Sequence, residues 1–291
     1  MLYFSEDIYP YGSQSMVVDE LIFSGRSSYQ DVLLFRNRFY GHVLVLDGVI
    51  QLTERDEFIY SEMMAHVPLF AHPDPASVLI IGGGDGCVLE EVLKHEAVRR
   101  VTLVDIDDLV LDLCRRHFAA CHRSAFDDQR LELRVADGIA YAGETSEKFD
   151  LVLVDGPDQM GVGEAGSSLY TPEFYSHCAR LLRPGGMLVI QSDVPFHSPQ
   201  PLALTCGAME GLFPTRKIYT APVPAYLGGL MCFVCVAGAG VDFTVPRRAH
   251  ACAGDIPDLR YYTPVLHTAA FQLPPYIETV AGSRSASAEA L

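Results

Sequence analysis

The feature that most narrows the fold is a series of short apolar runs, each ending in glycines or an aspartate and each followed by a helical pattern. Ser77–Ile81 ends in Gly82-Gly83-Gly84-Asp85-Gly86, Val101–Val104 in Asp105, Leu131–Val135 at Asp137, and Leu151–Val154 in Asp155. Helical stretches follow to about His95, to about Phe118, around Ile139–Thr145 and over Pro172–Leu182, before a further apolar run at Leu188–Gln191. Short apolar runs between helices mark strands buried on both faces, and their alternation with right-handed crossovers predicts a parallel, doubly wound α/β sheet. Lys217–Thr220 and Leu230–Val236 are candidate closing strands.

The pattern upstream differs. Ser15–Phe23, Gln30–Arg36 and Gly41–Leu46 are apolar, rich in β-branched residues and separated by turn-like segments, which predicts a small antiparallel β unit. A helix is expected from about Asp56 to Leu69, where Phe58, Ile59, Met63 and Val67 recur at helical spacing. The expected organisation is therefore a β domain over residues 1–55, a Rossmann-like domain over 56–280 and an Ala/Ser/Gly-rich, disordered tail over 281–291.

At 291 residues the chain suffices for one medium domain with an appendage. Its formal charge of -16 argues against nucleic-acid binding, which needs basic residues facing phosphates, and suits a cationic substrate. No apolar run approaches the roughly 20 residues of a membrane span. Met1–Tyr11 lacks the basic-then-apolar pattern of a signal peptide, so the expected compartment is the cytoplasm, with no membrane partner. The 8 cysteines lack framework spacing and read as reduced thiols. Cys232 and Cys235 form a Cys-x-x-Cys inside an apolar run with no second pair, so a core strand is expected there, and no metal site.

Ligands of an open α/β sheet bind beyond the carboxyl ends of its strands, where this chain places glycines and acids in succession. The glycines let backbone approach a ligand at a helix N-terminus. Asp105 follows at about the 20-residue spacing at which an acid accepts the two ribose hydroxyls of an adenosine cofactor. A dehydrogenase would carry G-x-G-x-x-G, but Cys87 stands where the third glycine belongs. Gly82, Gly84 and Gly86 instead give G-x-G-x-G, the pattern of adenosylmethionine-dependent enzymes. Asp137-Gly138 can accept the adenine amino group, or form a plain turn. Asp85 would repel the carboxylate of full adenosylmethionine and welcome a decarboxylated tail that carries only an ammonium; it also suits a helix cap. Asp155 and Asp158 offer paired acids for a diamine, and the Gly-rich loop Met160–Ser168 reads as a lid.

These residues resemble the spermidine synthase family. The likeness rests on Leu46–Arg55 with Asp56-Glu57-Phe58 and Tyr60, on Val78–Gly86, on Phe149–Asp158, on Val223–Phe233, and on Arg260-Tyr261-Tyr262 with His267 and Ala269-Ala270-Phe271, covering nearly all of residues 15–277. It implies a small N-terminal β domain on a Rossmann-like, adenosylmethionine-methyltransferase-type sheet, assembled as a homodimer or homotetramer. It implies aminopropyl transfer from decarboxylated S-adenosylmethionine, a co-substrate rather than a tightly bound cofactor, to a small cationic amine, putrescine foremost. By the resemblance Gln30, Asp105, Asp137 and Gly138 would hold the adenosine, and Asp85 the aminopropyl ammonium. Asp155 would be the base, and Asp158, Tyr60 and Tyr226 would contact the diamine, with Ser61 beside them. The family commonly has Glu at position 105 and Gln or His at 61, and prolines where Gln159 and Val162 stand; Ala225 replaces a threonine. Ser61, Val162 and a longer loop bear on the acceptor amine. Two rival readings are an N-methyltransferase on the same scaffold and an inactive binding paralogue.

Overall fold

A computed structural model describes residues 1–156, 167–247, 256 and 258–282. The chain opens with an antiparallel hairpin of β1 (Leu2–Tyr9) and β2 (Gly12–Val18). Next, β3 (Glu20–Arg26), β4 (Asp31–Asn37), β5 (Gly41–Leu46) and β6 (Val49–Thr53) form a 4-stranded antiparallel sheet in chain order. Asp47 (φ 48) and Gly48 (φ 83) close the β5–β6 turn in the left-handed region, the geometry that matches the twist of a two-residue hairpin.

The sequence pattern misplaces parts of this region. Ser15–Phe23, expected as one strand, divides at Asp19, where the chain passes from the hairpin to the sheet and the Asp19 carboxylate engages the side chain and backbone N–H of Arg38. The pattern also hides β1 and β6. β1 carries an inward-facing acid, Glu6, whose carboxylate accepts the Ile50 N–H (2.7 Å) and ties the hairpin to β6. A buried charge among apolar residues breaks the alternation by which such a strand is recognised.

Helix α1 (Glu57–Ala71) leads into a 7-stranded sheet made of β7 (Ser77–Gly82), β8 (Arg100–Asp105), β9 (Leu131–Val135), β10 (Phe149–Asp155), β11 (Leu182–Gln191), β12 (Thr215–Pro222) and β13 (Leu230–Ala237), in the order β12-β13-β11-β10-β7-β8-β9. β7 to β11 run parallel, whereas β13 is antiparallel to both β11 and β12, so the sheet is mixed rather than wholly parallel. The short connection over residues 223–229 imposes this, because parallel neighbours need a long crossover.

Among the crossing helices are α2 (Cys87–Leu93), α3 (Asp108–His117), α4 (Ala119–His122), α5 (Gly138–Glu144), α6 (Pro172–Leu181) and α7 (Pro199–Ala208). α2 stops short of the expected His95, and Lys94 turns back onto Glu90 (3.0 Å) and Glu91 (2.7 Å). Both faces of the sheet are covered. Val78 and Ile80 pack with Met63 and Val67 of α1 on one side, and Leu79 and Ile81 with Phe174 and Leu181 of α6 on the other. That two-sided burial is why β7, β8 and β10 read as short apolar runs, whereas the outer strand β9 alternates with Glu132 and Arg134. It also separates Cys232 from Cys235, which face opposite cores, so the pair cannot jointly bind a metal or bridge. Ala281 and Gly282 close a last helix, Pro275–Gly282, and 283–291 lie outside the described residues.

Candidate active site

The strand ends meet because the loop after β7 is built of glycines. Gly82 (φ +81), Gly83 (φ +68) and Gly86 (φ +80) adopt left-handed backbone. A Cβ on Gly82 would lie 2.1 Å from the Asp155 carbonyl oxygen, and one on Gly84 2.7 Å from an Asp105 carboxylate oxygen. The loop is thereby stitched to its neighbours: Gly83 N–H donates to the Asp155 carbonyl (2.9 Å) and Gly84 N–H to Asp105 Oδ2 (2.9 Å). Gly138 is equally confined, since a Cβ there would meet Ile81 at 2.4 Å.

Beyond these ends lies a cavity of about 370 Å³. Its wall brings together Gln30, Asp105, Asp137 and Gly138 beside β8 and β9, then Gly82, Gly84, Asp85 and Asp155, then Tyr60, Ser61 and Tyr226 from α1 and the 223–229 connection. Of the residues singled out in the sequence, Gly86 stands apart. It does not line the cavity but packs behind the loop, where a Cβ would strike the Phe126 ring at 2.5 Å. Asp158, Gln159, Val162 and most of the expected lid lie outside the described residues.

The Asp155 end of the cavity is electrostatically unusual. Tyr60 donates its hydroxyl to Asp155 Oδ1 (2.6 Å), while Asp155 Oδ2 is buried and has no hydrogen-bond partner among the described residues. Burial, reinforced by the charges of Asp85 and Asp105, pushes the Asp155 carboxyl up to about 7 against the Tyr60 hydrogen bond. Burial and the neighbouring Asp155 push the Tyr60 phenol well above its ordinary range. Asp85 is also raised by burial, although its Oδ1 accepts the Cys87 N–H (2.7 Å); the N-cap of α2 is Gly86 rather than Asp85, which keeps its place on the cavity wall. Burial raises Asp105 to about 6 despite two backbone donors, Gly84 N–H and Asp107 N–H (2.8 Å). Carboxylates crowded out of water in this way favour the arrival of a cation.

Asp137 accepts from the Ile139 N–H (2.8 Å) and so caps α5 while keeping its place on the wall. Tyr226 donates to the Gln51 carbonyl (2.8 Å), and its ring meets that of Tyr60 edge-on at 6.4 Å.

Sequence reasoning missed three acids around the site. Asp107 caps α3 with Oδ1 and accepts on Oδ2 from the Gln30 side chain (2.8 Å) and the Ser27 hydroxyl (2.7 Å), joining the 4-stranded sheet to the β8 side of the cavity. Asp56 accepts the Ala225 N–H (2.7 Å) and fixes the connection that carries Tyr226. Glu57 lines the cavity itself. The position of Asp107 just ahead of a helix was a capping signal, whereas nothing local marks Asp56 or Glu57 as inward-facing.

The architecture and the cleft find their counterparts in known proteins. Residues 57–245 match the model of the spermine/spermidine synthase domain, and residues 2–54 that of the spermidine synthase tetramerisation domain. The polyamine aminopropyltransferase of Ruegeria sp. (strain TM1040) is 41% identical over 278 residues, covering 94% of this chain and 96% of that protein. Its counterpart in Pseudomonas syringae pv. tomato is 40% identical over 278 residues, with the same 94% and 96% covered. A crystal structure of spermidine synthase in complex with the transition-state analogue AdoDATO superposes with a TM-score of 0.90 at 33% identity, over 97% of this chain and 95% of the other. Spermidine synthase from Thermotoga maritima gives 0.88 at 32% identity, over 97% and 94%. Likeness of this extent, in sequence and in fold together, carries one conclusion: the chain belongs to the spermine/spermidine synthase family of polyamine aminopropyltransferases.

Proposed function

We propose that the chain transfers the aminopropyl group of decarboxylated S-adenosylmethionine to putrescine, giving spermidine and 5′-methylthioadenosine. The observation that carries this is the pairing, in one cavity, of Asp85 with a buried Asp155 oxygen that has no hydrogen-bond partner among the described residues. In this reading Gln30, Asp105, Asp137 and Gly138 hold the adenosine. Asp85 takes the aminopropyl ammonium, and Tyr60, Ser61, Asp158 and Tyr226 surround the diamine.

The sulfonium already activates the neighbouring methylene, so the enzyme's task is alignment and removal of a proton. A free alkylamine, protonated up to a pKa of about 10 by analogy with lysine, cannot attack. Desolvation in the cleft lowers that value, and Asp155, poised near neutrality, accepts the proton as the N–C bond forms and the C–S bond breaks. The electron pair leaves with sulfur as neutral methylthioadenosine, and the positive charge passes to the new amine. The AdoDATO complex of the structurally similar spermidine synthase supports this chemistry. Assembly of copies through residues 2–54 is supported by the tetramerisation domain they match, and we assign the enzyme to the cytoplasm; no described helix is long and apolar enough to cross a membrane.

Cofactor discrimination tests the reading. Calorimetry should find decarboxylated adenosylmethionine bound at least about tenfold more tightly than the full cofactor, about 1.4 kcal/mol, because Asp85 opposes the extra carboxylate. Equal affinities would remove the basis for aminopropyl transfer.

A further inference from the structure

Several carboxylates line the cleft besides Asp85 and Asp155, and the geometry commits most of them. Asp105 spends both oxygens on backbone N–H groups, Asp137 caps α5, and Asp56 is occupied by the Thr53 hydroxyl and the Ala225 N–H. Glu57 is different. It lines the cavity from α1, on the helix face that carries Tyr60 and Ser61, and its side chain is only 8% exposed. Ser61 donates to Glu57 Oε2 (3.2 Å) from inside the cleft. Arg260 reaches Oε1 (2.9 Å) and does not itself line the cavity. Its guanidinium lies 3.7 Å from the centroid of the Phe58 ring, and its backbone N–H is held by buried Glu62 (2.8 Å), which also accepts from Tyr261 (2.9 Å) and Tyr262 (2.6 Å). Burial, with the neighbouring charges of Glu91 and Asp85, pushes the Glu57 carboxyl up to about 8 against the pull of Arg260 and the Ser61 hydrogen bond.

We infer that Glu57 receives the far ammonium of the acceptor amine, and that the short side chain of Ser61 leaves it reachable from the cleft. The inference rests on the proposed aminopropyl transfer. With the near nitrogen at Asp155, the second nitrogen of a diamine is a cation that must leave water, and a carboxylate backed by Arg260 on its outer side gives it a fixed partner within the cleft. Glu57 is thus a specificity-determining residue, selecting diamines over monoamines of the same length.

The test compares specificity constants for putrescine and for butylamine, which has the same carbon chain but no second ammonium. Glu57→Gln should lower the putrescine-to-butylamine ratio at least about tenfold. Ser61→Gln, which lays a longer side chain over an intact Glu57, should lower it in the same direction. A ratio in Glu57→Gln within about threefold of wild type overturns the inference. Thermal melting reports the fold of each variant, and should Glu57→Gln not fold, an unchanged ratio in Ser61→Gln overturns it instead. A wild type that alkylates neither amine defeats the proposed function, a separate outcome from an altered or unaltered ratio.

Discussion

At the end of β10 one oxygen of Asp155 is held by Tyr60 and its twin has no partner among the described residues, a costly arrangement for a buried carboxylate unless a ligand completes it. Asp155→Asn keeps the shape and the Tyr60 contact but cannot accept the amine proton. Turnover should fall roughly 10²–10⁴-fold while affinity for the decarboxylated nucleoside stays near wild type; retention of more than about a tenth of the activity would show that Asp155 is not the base. Residues of this kind were legible because they follow strands: Asp105 and Asp155 end apolar runs, Asp137 follows the alternating Leu131–Val135, and all three line the cavity. Glu57 and Asp107 were not, because an acid near a helix start reads first as a cap or a solvated charge. Only the packed structure turns Glu57 inward and brings Gln30 onto Asp107 from the other sheet.

Among the elements, the β7–α2 loop bears the tightest constraint. Gly82 combines a left-handed φ of +81 with a Cβ position 2.1 Å from the Asp155 carbonyl, so any side chain there pushes β7 and β10 apart beside Asp155. Gly82→Ala should destabilise the fold by at least about 2 kcal/mol and weaken nucleoside binding, as read by denaturant unfolding and calorimetry. A variant within about 0.5 kcal/mol of wild type would mean that the loop relaxes freely. The strands β7, β8 and β10 were readable from sequence because helices cover both their faces. The antiparallel direction of β13 was not, since an apolar run has no polarity and only the closure of residues 223–229 fixes it. β1 escaped notice for the opposite reason, its inward Glu6 disguising a half-buried strand.

Considered whole, the molecule gathers acids around a cleft made by two units, with Gln30 and Ser27 reaching Asp107 across the boundary between sheets. That gathering has a cost in stability that depends on pH. Asp105, Asp155 and Glu57 are held at about 6, 7 and 8 in the folded chain, against about 4 when unfolded. Each binds its proton more tightly when folded, so its stabilising contribution is complete below the unfolded value and is lost as pH rises through the folded one. Acids held low by arginine, such as Asp128 and Glu132, exert their opposite effect only at more acid pH. The melting temperature of the ligand-free enzyme should therefore fall between about pH 5 and pH 8; a flat or rising profile in a series of thermal melts would contradict the buried acids. The most direct test of aminopropyl transfer is product analysis. Purified enzyme given decarboxylated S-adenosylmethionine and putrescine should form spermidine and 5′-methylthioadenosine in equal amounts by mass spectrometry, and should form no N-methylated amine from full S-adenosylmethionine. Methylated putrescine from the full cofactor, or no product from the decarboxylated one with any diamine, would contradict it.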